Sequence, residues 1–552
     1  MVRLFALTAI AALASSVAAQ HCNGWYNNET PARAVQNMQP GWNLGNTLDA
    51  VPYEDSWNNA KVQEYTFSDI KKAGFKSVRI PITWTAKTGP APSYTIDATW
   101  LDRVEQVVDM ALKYDLYVVI NIHHDSWEWA DLSTPDNLQG KKDRLYALWR
   151  QISARLNKKC EKVLFESLNE PVGGGDDAKD ETHSNIYNEF NAEFVKIVRQ
   201  SGGFNAKRNL LLPTLNTNID RGIKWFKFPA QPDSNLILTV HNYDPWDFVS
   251  NSWGKTWWGT ADDLVYFDNL YERLVKAFPN TAIVLGEFGT SKFVDKFSNW
   301  LWHDYHVRAA AKRNIAIQLW DNGDDYFDRV NRVWRDPVIK DYVINAAKLV
   351  PNSFLDKATL YFKEGEAITD KALKLNLNGN TFGALLNGQV TLQSGRDYRV
   401  ENGTTLVLTQ KYLSSVVKPA IGTSATLTAK FSKGTYPTLA LTRYSTPIIS
   451  YNSFTKTEPL TNALTIPTQF KGTTLATVKC VYDNGVYCKD DWTQWLGDLQ
   501  KGRINYNDFW ADATNVGLSA AFVNGLSQSA NLTFEFYPRE ENVNLGFRIV
   551  VA

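Results

Sequence analysis

The chain has 552 residues, too many for one ordinary hydrophobic core, so one large domain with smaller additions is expected. Lysine plus arginine and aspartate plus glutamate each total 58, which leaves no net charge to attract nucleic acid or anionic lipid, and neither partner is expected. Aromatic residues make up 13% of the chain and include 20 tryptophans, whose flat faces suit a neutral ligand held by stacking and hydrogen bonds.

The N-terminus has the three-part layout of a secretory signal. Arg3 precedes an apolar run over residues 4–14, and small residues end at Ala19, after which cleavage is expected. This run is too short to span a bilayer, and no later stretch is long enough for a transmembrane helix. The sequence therefore predicts that residues 1–19 are removed, which leaves a soluble extracellular protein that we expect to be monomeric.

All four cysteines lie beyond this signal and can pair oxidatively. Cys480 and Cys488 flank an Asp-Asn-Gly turn signal, so a hairpin disulfide is the first choice there, which leaves Cys22 with Cys160. Histidines and cysteines do not cluster in a zinc-binding spacing, and no metal site is predicted. N-glycosylation sequons begin at Asn28, Asn402 and Asn531. Each of them could equally be a chance match to the motif in a turn.

Residues 40–350 repeat one rhythm, a short β-branched or aliphatic run followed by a longer stretch with helical periodicity. Such alternation implies a parallel sheet, and eight repeats favour a closed (β/α)8 TIM barrel of the α/β class. Bulky residues such as Val118, Ile120 and Ile122 are expected to pack the barrel layers, with polar residues at the strand ends. The predicted strands span residues 41–47, 77–82, 117–124, 163–169, 209–215, 236–243, 282–288 and 316–321.

Beyond residue 351 the helical rhythm stops. Short alternating runs separated by turn signals such as Asn378-Gly379 indicate two all-β sandwich domains after the barrel. No low-complexity linker separates the regions, so the domains are expected to pack against each other. The predicted organisation is a signal over 1–19, a catalytic barrel over 20–352, a β-sandwich over 353–435 and a β domain over 436–552.

Two glutamates stand at the ends of predicted strands that face each other across a barrel mouth. Glu170 follows the fourth strand and Glu287 ends the seventh, so both side chains can reach one cleft. Retaining glycosidases use two carboxyls about 5 to 5.5 Å apart, one as acid/base and one as nucleophile. Arg79 is expected to hold Glu287 ionised, and repulsion between the carboxyls to keep Glu170 protonated. The alternative is that each acid only caps a helix or lies in solvent.

Seven motifs occur in order at these strand ends, namely Gly41-Trp42-Asn43-Leu44-Gly45-Asn46-Thr47, Arg79-Ile80-Pro81, Ile122-His123-His124, Asn169-Glu170-Pro171, His241-Asn242-Tyr243, Gly286-Glu287-Phe288-Gly289 and Trp320. Together they resemble glycoside hydrolase family 5, in particular its endoglucanase branch. The resemblance implies that Glu170 is the acid/base and Glu287 the nucleophile. It also implies that His241 and Tyr243 orient the two carboxyls, with Tyr243 near Glu287.

The same resemblance implies which residues hold the sugar being cleaved. Asn169 and His123 would contact it, and Trp320 would form the floor on which it stacks. His124 is expected to point away from the cleft, because adjacent strand residues face opposite sides. Each of these residues could instead be a satisfied polar or core residue. Further tryptophans in or near the loops could form subsites or merely pack, namely Trp57, Trp84, Trp127, Trp129, Trp246, Trp257 and Trp258.

The segments after the barrel resemble accessory modules of bacterial cellulases. The second domain is similar to their immunoglobulin-like modules, and the third, with Asp490-Asp491-Trp492, looks like a family 46 carbohydrate-binding module. We expect Trp492, Trp495 or Trp510 to extend the substrate cleft, because exposed indoles on a β-scaffold suit glucan chains. The alternative is that these indoles form the buried core of a small domain.

The predicted function is retaining hydrolysis of internal β-1,4-glucosidic bonds in cellulose, mixed-linkage β-glucan or xyloglucan. The expected partner is the polysaccharide substrate, and the chemistry requires no cofactor. One alternative is an endo-β-1,4-mannanase, which differs at the subsite for the 2-hydroxyl. The other is a non-catalytic carbohydrate-binding barrel, which would have no need of both Glu170 and Glu287.

Overall fold

A computed structural model describes Cys22 and residues 24–134 and 136–552, so the predicted signal lies outside the described part of the chain. The chain divides into two units. The first contains the described residues up to Asn242 together with Val265–Gly289 and His306–Leu349, and the second contains Tyr243–Leu264, Thr290–Tyr305 and Val350–Ala552. Among the helices so described, none is both long and apolar enough to cross a membrane.

The first unit contains a closed barrel of eight parallel strands in sequence order, which confirms the predicted fold. The barrel strands are β1 (Gly41–Asn43), β2 (Ser77–Ile80), β3 (Tyr117–Ile120), β4 (Val163–Glu166), β5 (Leu210–Pro213), β6 (Leu236–His241), β7 (Ala282–Phe288) and β8 (Ile315–Leu319). Strand β8 pairs back onto β1, with Gly41 opposite Gln318. A short hairpin follows, formed by β9 (Phe327–Asp328) and β10 (Val333–Trp334).

Helices alternate with these strands along the chain. They are α1 (Pro31–Met38), α2 (Glu64–Ala73), α3 (Ala98–Lys113), α4 (Leu138–Leu156), α5 (Asp177–Gln200), α6 (Ile219–Trp225), α7 (Trp246–Val249), α8 (Ala261–Ala277), α9 (Lys296–Ala311) and α10 (Pro337–Ala347). Thr30 caps α1, accepting a hydrogen bond from Arg33 N. Side chains of α1 pack with the lower interior of the barrel, so this helix closes one end of the core.

Most predicted strands end too late. Only the strand predicted over 282–288 has the observed limits, and the others run on into residues that lie after the last ladder pair. Isolated backbone bonds continue there, as from His123 N to Ile82 O at 2.8 Å and from Asn169 N to Ile122 O at 2.8 Å. The chain therefore stays extended beyond the strands, which is why sequence patterning alone overestimates their length.

The barrel interior is not packed by the residues that the sequence suggested. From β3 the interior cluster takes Tyr117 and Val119, so alternation turns Val118 and Ile120 to the other face of the sheet. Ile122 lies beyond the end of β3, and all three predicted residues are buried. The prediction that Val118, Ile120 and Ile122 fill the barrel layers is therefore wrong, because a buried parallel strand is apolar on both faces.

The second unit contains the two predicted β-sandwich domains. In the second domain, sheet β11-β13-β17-β16 packs against sheet β12-β19-β18-β14-β15 around a leucine-rich core. Its elements are β11 (Phe354–Leu355), β12 (Thr359–Lys363), β13 (Lys371–Asn376), β14 (Phe382–Asn387), β15 (Val390–Thr391), β16 (Tyr398–Glu401), β17 (Thr405–Leu408), α11 (Gln410–Val416), β18 (Gly422–Phe431) and β19 (Thr438–Tyr444).

The third domain pairs sheet β20-β22-β25-β24 with sheet β21-β27-β26-β23 around its own core. Its elements are β20 (Ile448–Ile449), β21 (Ser453–Lys456), β22 (Leu464–Gln469), β23 (Thr474–Tyr482), β24 (Phe509–Ala511), β25 (Asn515–Leu518), α12 (Ala520–Gly525), β26 (Ala530–Tyr537) and β27 (Asn544–Val551). The predicted boundary after residue 435 is wrong. Strand β19 lies beyond it, yet pairs with β12 and β18 of the second domain.

Both predicted disulfides are present, Cys22 with Cys160 and Cys480 with Cys488. The three sequon asparagines are exposed, although the Asn531 amide already bonds Asp483 and Arg548. Glycosylation at Asn28, Asn402 and Asn531 stays a prediction.

Candidate active site

One buried arginine organises the C-terminal end of the barrel. Arg79, on β2, donates from Nε to Glu166 Oε2 at 2.8 Å and from Nη1 to Glu287 Oε1 at 2.6 Å. It also donates to Asn43 Oδ1 at 3.1 Å and to Asn169 Oδ1 at 2.7 Å. Burial alone would lower the pKa of Arg79, but the two carboxylates outweigh it and raise the pKa above its ordinary value. Arg79 therefore stays cationic, and it contacts Glu287 as the sequence predicts.

An irregularity in β7 brings Glu287 to this cation. Val240 pairs with Leu285, but the next residue, His241, pairs with Glu287, so Gly286 is an extra residue in β7. A side chain at Gly286 would have no room, because its Cβ would lie 2.9 Å from His241 Nε2. The Glu287 side chain is only 6% exposed as a result of its position beside Arg79 and His241.

The second glutamate meets Glu287 in the same place. Glu170 follows β4, and its Oε1 lies 2.9 Å from His241 Nδ1, which is in turn 3.6 Å from Glu287 Oε2. One carboxylate oxygen of each glutamate lies within 4.8 Å of the other. The Glu170 side chain is 27% exposed, far more than that of Glu287. Neither carboxyl therefore lies alone in solvent, since each contacts His241.

A chain of hydrogen bonds defines the protonation of His123. Ile82 N donates to Asn121 Oδ1 at 3.1 Å, which orients the amide so that Asn121 Nδ2 faces His123 Nδ1, also at 3.1 Å. Burial lowers the pKa of His123 well below its ordinary value, with smaller contributions from His124 and Arg79, so the ring is neutral. Since Nδ1 accepts, the proton is on Nε2, and His123 presents one N–H donor.

Trp320 lies beside His123 at the C-terminal end of the barrel, and its role as the floor of the sugar site stays a prediction. Its ring is parallel to that of His123, with centroids 5.9 Å apart and 3° between planes. It also fits tightly over Gly45, where a Cβ would lie 2.8 Å from Trp320 Cη2. The half-buried indole therefore has a position set from both sides.

Strand alternation predicted that His124 points away from the cleft, but its ring lies within the aromatic cluster beside His123. Its ring lies 4.6 Å from that of His123 and 4.7 Å from that of Trp127, and Trp57 contacts it at 5.4 Å. The reason is that β3 ends at Ile120, so alternation no longer applies two or more residues later. Trp57 and Trp127 are both exposed and extend this aromatic surface.

The remaining loop tryptophans divide by burial. Trp84 and Trp258 are fully buried, so the core interpretation holds for both. Trp129 is half-buried beneath Arg144. Trp246 and Trp257 are exposed and belong to the second unit. Tyr243 follows β6 and is half-buried, also in the second unit, and its predicted role beside Glu287 stays a prediction.

The sequence analysis assigned no role to three residues of the site. Asn43 donates through Nδ2 to Gly286 O at 2.9 Å, Asn121 orients His123, and Glu166 pairs with Arg79. A signal existed for Glu166, because it is a charged residue ending an otherwise apolar, fully buried strand. A buried carboxylate of that kind requires a partner inside the barrel.

A closed barrel with two carboxyls within 4.8 Å, one after β4 and one on β7, defines the glycoside hydrolase class of enzyme. The family model described as cellulase (glycosyl hydrolase family 5) matches residues 37–326. The chain therefore belongs to glycoside hydrolase family 5. Two further models match after the barrel, carbohydrate binding domain X2 over 355–441 and a second carbohydrate binding domain, of family 46, over 451–545.

Known proteins resemble most of the chain or its barrel. Endoglucanase B of Paenibacillus lautus is 34% identical over 528 residues, which cover 92% of this chain and 90% of the relative. A tri-modular family 5, subfamily 4, endo-β-1,4-glucanase from Bacillus licheniformis, solved with cellotetraose, is 38% identical with a TM-score of 0.87. That match covers 95% of this chain and 100% of the solved one. A family 5 xyloglucanase from Paenibacillus pabuli matches 57% of this chain and 99% of its own, with 31% identity and a TM-score of 0.53.

Gly286→Ala is expected to lower kcat by about 100-fold, because a methyl group there displaces His241 from both carboxyls and small misplacements of this kind are that costly. Turnover of a soluble β-glucan measures the effect. Gly89→Ala is the matched control, since the nearest atom to its Cβ is at 3.6 Å, an ordinary contact. An unchanged kcat in Gly286→Ala would show that His241 does not depend on this close approach.

Proposed function

We propose that this chain is a secreted, retaining endo-β-1,4-glucanase with Glu170 as acid/base and Glu287 as nucleophile. The observation that carries the proposal is the approach of the two carboxylates to within 4.8 Å. Inverting enzymes hold their carboxyls roughly 6.5–9.5 Å apart to admit a water molecule, whereas retaining enzymes hold them about 5–5.5 Å apart. The short separation favours direct attack by a carboxylate on the sugar.

The surroundings of the two acids support this division of roles. Glu287 is bonded to the buried cation Arg79 and is thereby suited to remain a carboxylate. Glu170 is more exposed and lies beside His241, where it can exchange a proton with a leaving group or with water. In the first step Glu287 attacks the sugar carbon while Glu170 protonates the leaving oxygen. In the second, Glu170 takes a proton from the water that releases the sugar.

Neighbouring polar groups suit the sugar. Asn169 accepts from Arg79 through Oδ1, so its Nδ2 is the end left to donate, as a contact with the sugar 2-hydroxyl requires. His123 offers an N–H donor, and Trp320 an indole face. The solved relatives that bind cellotetraose or hydrolyse xyloglucan support a β-1,4-glucan as the substrate class. Cellulose, mixed-linkage β-glucan and xyloglucan are the substrates that we propose.

Glu287→Gln and Glu170→Gln are each expected to lower kcat on carboxymethylcellulose by ~10³-fold or more, because each removes a group that transfers a proton or forms a bond. Glu181→Gln, an exposed change on α5, is the control and should leave kcat unaltered. Proton NMR of the wild-type digest should show the β-anomer first. An α-anomer formed first would mean inversion, and equal turnover of mannans would favour the mannanase alternative.

Secretion and a monomeric state form part of the same proposal. The basic, apolar and small-residue segments of the N-terminus support export, and both disulfides suit an oxidising compartment. Protein exported by a secretory host should begin at Gln20 when its N-terminus is sequenced. Light scattering should give the mass of a single chain. Retention of Met1, or a mass of two chains, would contradict these two points.

We propose that Trp492 and Trp495 of the third domain bind the glucan chain, whereas Trp510 does not. Trp495 is 83% exposed, and Trp492 is 43% exposed and packs edge-on against Trp253. Trp253 is fixed in turn by a bond from its Nε1 to Asp490 Oδ2 at 2.8 Å. Trp510 instead covers Gly517, where any Cβ would collide with its ring, so its indole is half-buried.

Trp495→Ala is expected to raise KM for xyloglucan and carboxymethylcellulose by about fivefold, the loss of one stacking contact of ~1 kcal/mol. Its Tm should be unchanged, because the indole packs against little. Trp510→Ala is the matched comparison and should lower Tm while leaving KM alone, since it removes packing. Unchanged KM for both polymers in Trp495→Ala and Trp492→Ala would end this part of the proposal.

A further inference from the structure

Glu166 is a buried carboxylate to which the proposed mechanism assigns no step. It ends β4 and is fully buried, four residues before Glu170. Its Oε2 accepts from Arg79 Nε at 2.8 Å and from Asn121 Nδ2 at 2.9 Å, and it lies 2.7 Å from Arg79 Nη2 as an ion pair. Its Oε1 accepts from Thr239 Oγ1 at 3.3 Å. A negative charge is therefore held beneath the site, on the opposite end of the same guanidinium that binds Glu287.

The resting enzyme has more negative charge around Arg79 than a single cation requires. Arg79 carries one positive charge, and both Glu166 and Glu287 bond to it. Burying a second carboxylate costs free energy. This cost is offset if the reaction includes a step in which Arg79 has no other carboxylate to pair with. The proposed reaction contains such a state, because Glu287 loses its charge partway through.

The charge moves as follows when the glycosyl-enzyme forms. A Glu287 oxygen bonds to the sugar carbon, the bond from that carbon to the leaving oxygen breaks, and the proton of Glu170 passes to the leaving oxygen. Glu287 becomes a neutral ester, and the negative charge appears on Glu170 instead. Arg79 then has lost one of its two carboxylates, while remaining fully buried.

We propose that Glu166 is the counter-ion that keeps Arg79 paired while Glu287 is esterified, and that it thereby stabilises the glycosyl-enzyme. This inference rests on the retaining mechanism proposed above. An arginine left buried without a carboxylate would be strongly unfavourable, and Glu166 prevents that state. It is a positioning residue, since it acts through Arg79 and does not touch the sugar in this scheme.

The other ionisable groups around Arg79 do not replace Glu166 as its counter-ion. From the end of β3, His123 is neutral, because burial lowers its pKa well below the ordinary value. From β6, His241 faces Glu170 and Glu287, not Arg79. Glu170 bonds His241 as well. Of the described residues that pair with Arg79, Glu166 is thus the carboxylate that keeps its charge throughout the cycle.

Glu166→Gln tests the charge with little change of shape. The glutamine oxygen can accept from Arg79 and Asn121, and its amide nitrogen can donate to the Thr239 hydroxyl, so no buried group need lose its partner. A cellobiosyl reagent with an activated leaving group, and with fluorine in place of the hydroxyl next to the reacting carbon, traps the glycosyl-enzyme. Trapping should become about tenfold slower and reactivation of the trapped enzyme several-fold faster, because the ester state is selectively destabilised.

The pH profile gives a second readout. In the wild type, protonating Glu287 leaves Arg79 paired with Glu166, whereas in Glu166→Gln it would leave Arg79 with no carboxylate. The charged form of Glu287 is then favoured, so the acidic limb of kcat/KM should move to lower pH. Glu54→Gln is the matched control, a buried carboxylate bonded to Arg103, and it should change neither readout.

Each outcome decides something. If the rates of trapping and reactivation are unchanged in Glu166→Gln, Glu166 is only structural. The same conclusion follows if both rates fall and the acidic limb of kcat/KM does not move. If Glu166→Gln fails to fold, Glu166→Asp keeps the negative charge but holds it farther from Arg79. Trapping should then be slower and reactivation faster, each by less than in Glu166→Gln. Equal changes in both rates would overturn the inference. A wild-type enzyme that the reagent does not trap would refute the retaining mechanism itself, and the role of Glu166 with it.

Discussion

The pairing of Arg79 is the interaction on which the rest of the site depends. A guanidinium with no exposed surface must satisfy its donors and its charge inside the barrel, or the fold loses several kcal/mol. It does so with Asn43, Glu166, Asn169 and Glu287, which come from or follow three different strands, β1, β4 and β7. Satisfying one cation therefore aligns the proposed nucleophile, Glu287, and the amide of Asn169 at the same time.

The two candidate catalytic carboxyls differ because the barrel surrounds them differently. Glu287 lies on β7 against Arg79 and is nearly buried, whereas Glu170 follows β4 and keeps contact with solvent. His241 lies between them and touches both. Close packing maintains this arrangement, since Gly286 admits His241 where any other residue would collide. Such unequal environments are what the opposite roles proposed for these two identical side chains require.

Residues distant in sequence fix the segment that leaves β6. Within the second unit, Arg539 donates to Gly254 O at 2.8 Å and to Thr256 Oγ1 at 3.1 Å. Arg539 and Arg503 share the buried carboxylate of Glu535, at 2.7 Å and 2.6 Å. The third domain therefore does more than add a surface to the chain, because Arg539 bonds to a segment that the family model assigns to the cellulase domain.

The sequence by itself predicted the barrel, the order of its strands, the hairpin disulfide between Cys480 and Cys488, and the placing of Glu170 and Glu287 at strand ends, because periodicity and short motifs are properties of residues close along the chain. Only the tertiary structure decided where strands end, where the second domain ends, at Tyr444, and that His124 joins the aromatic cluster. It alone revealed Glu166 as the second partner of Arg79. Each of these depends on which residues face one another across a sheet or a barrel, and such pairing leaves no local pattern in the sequence.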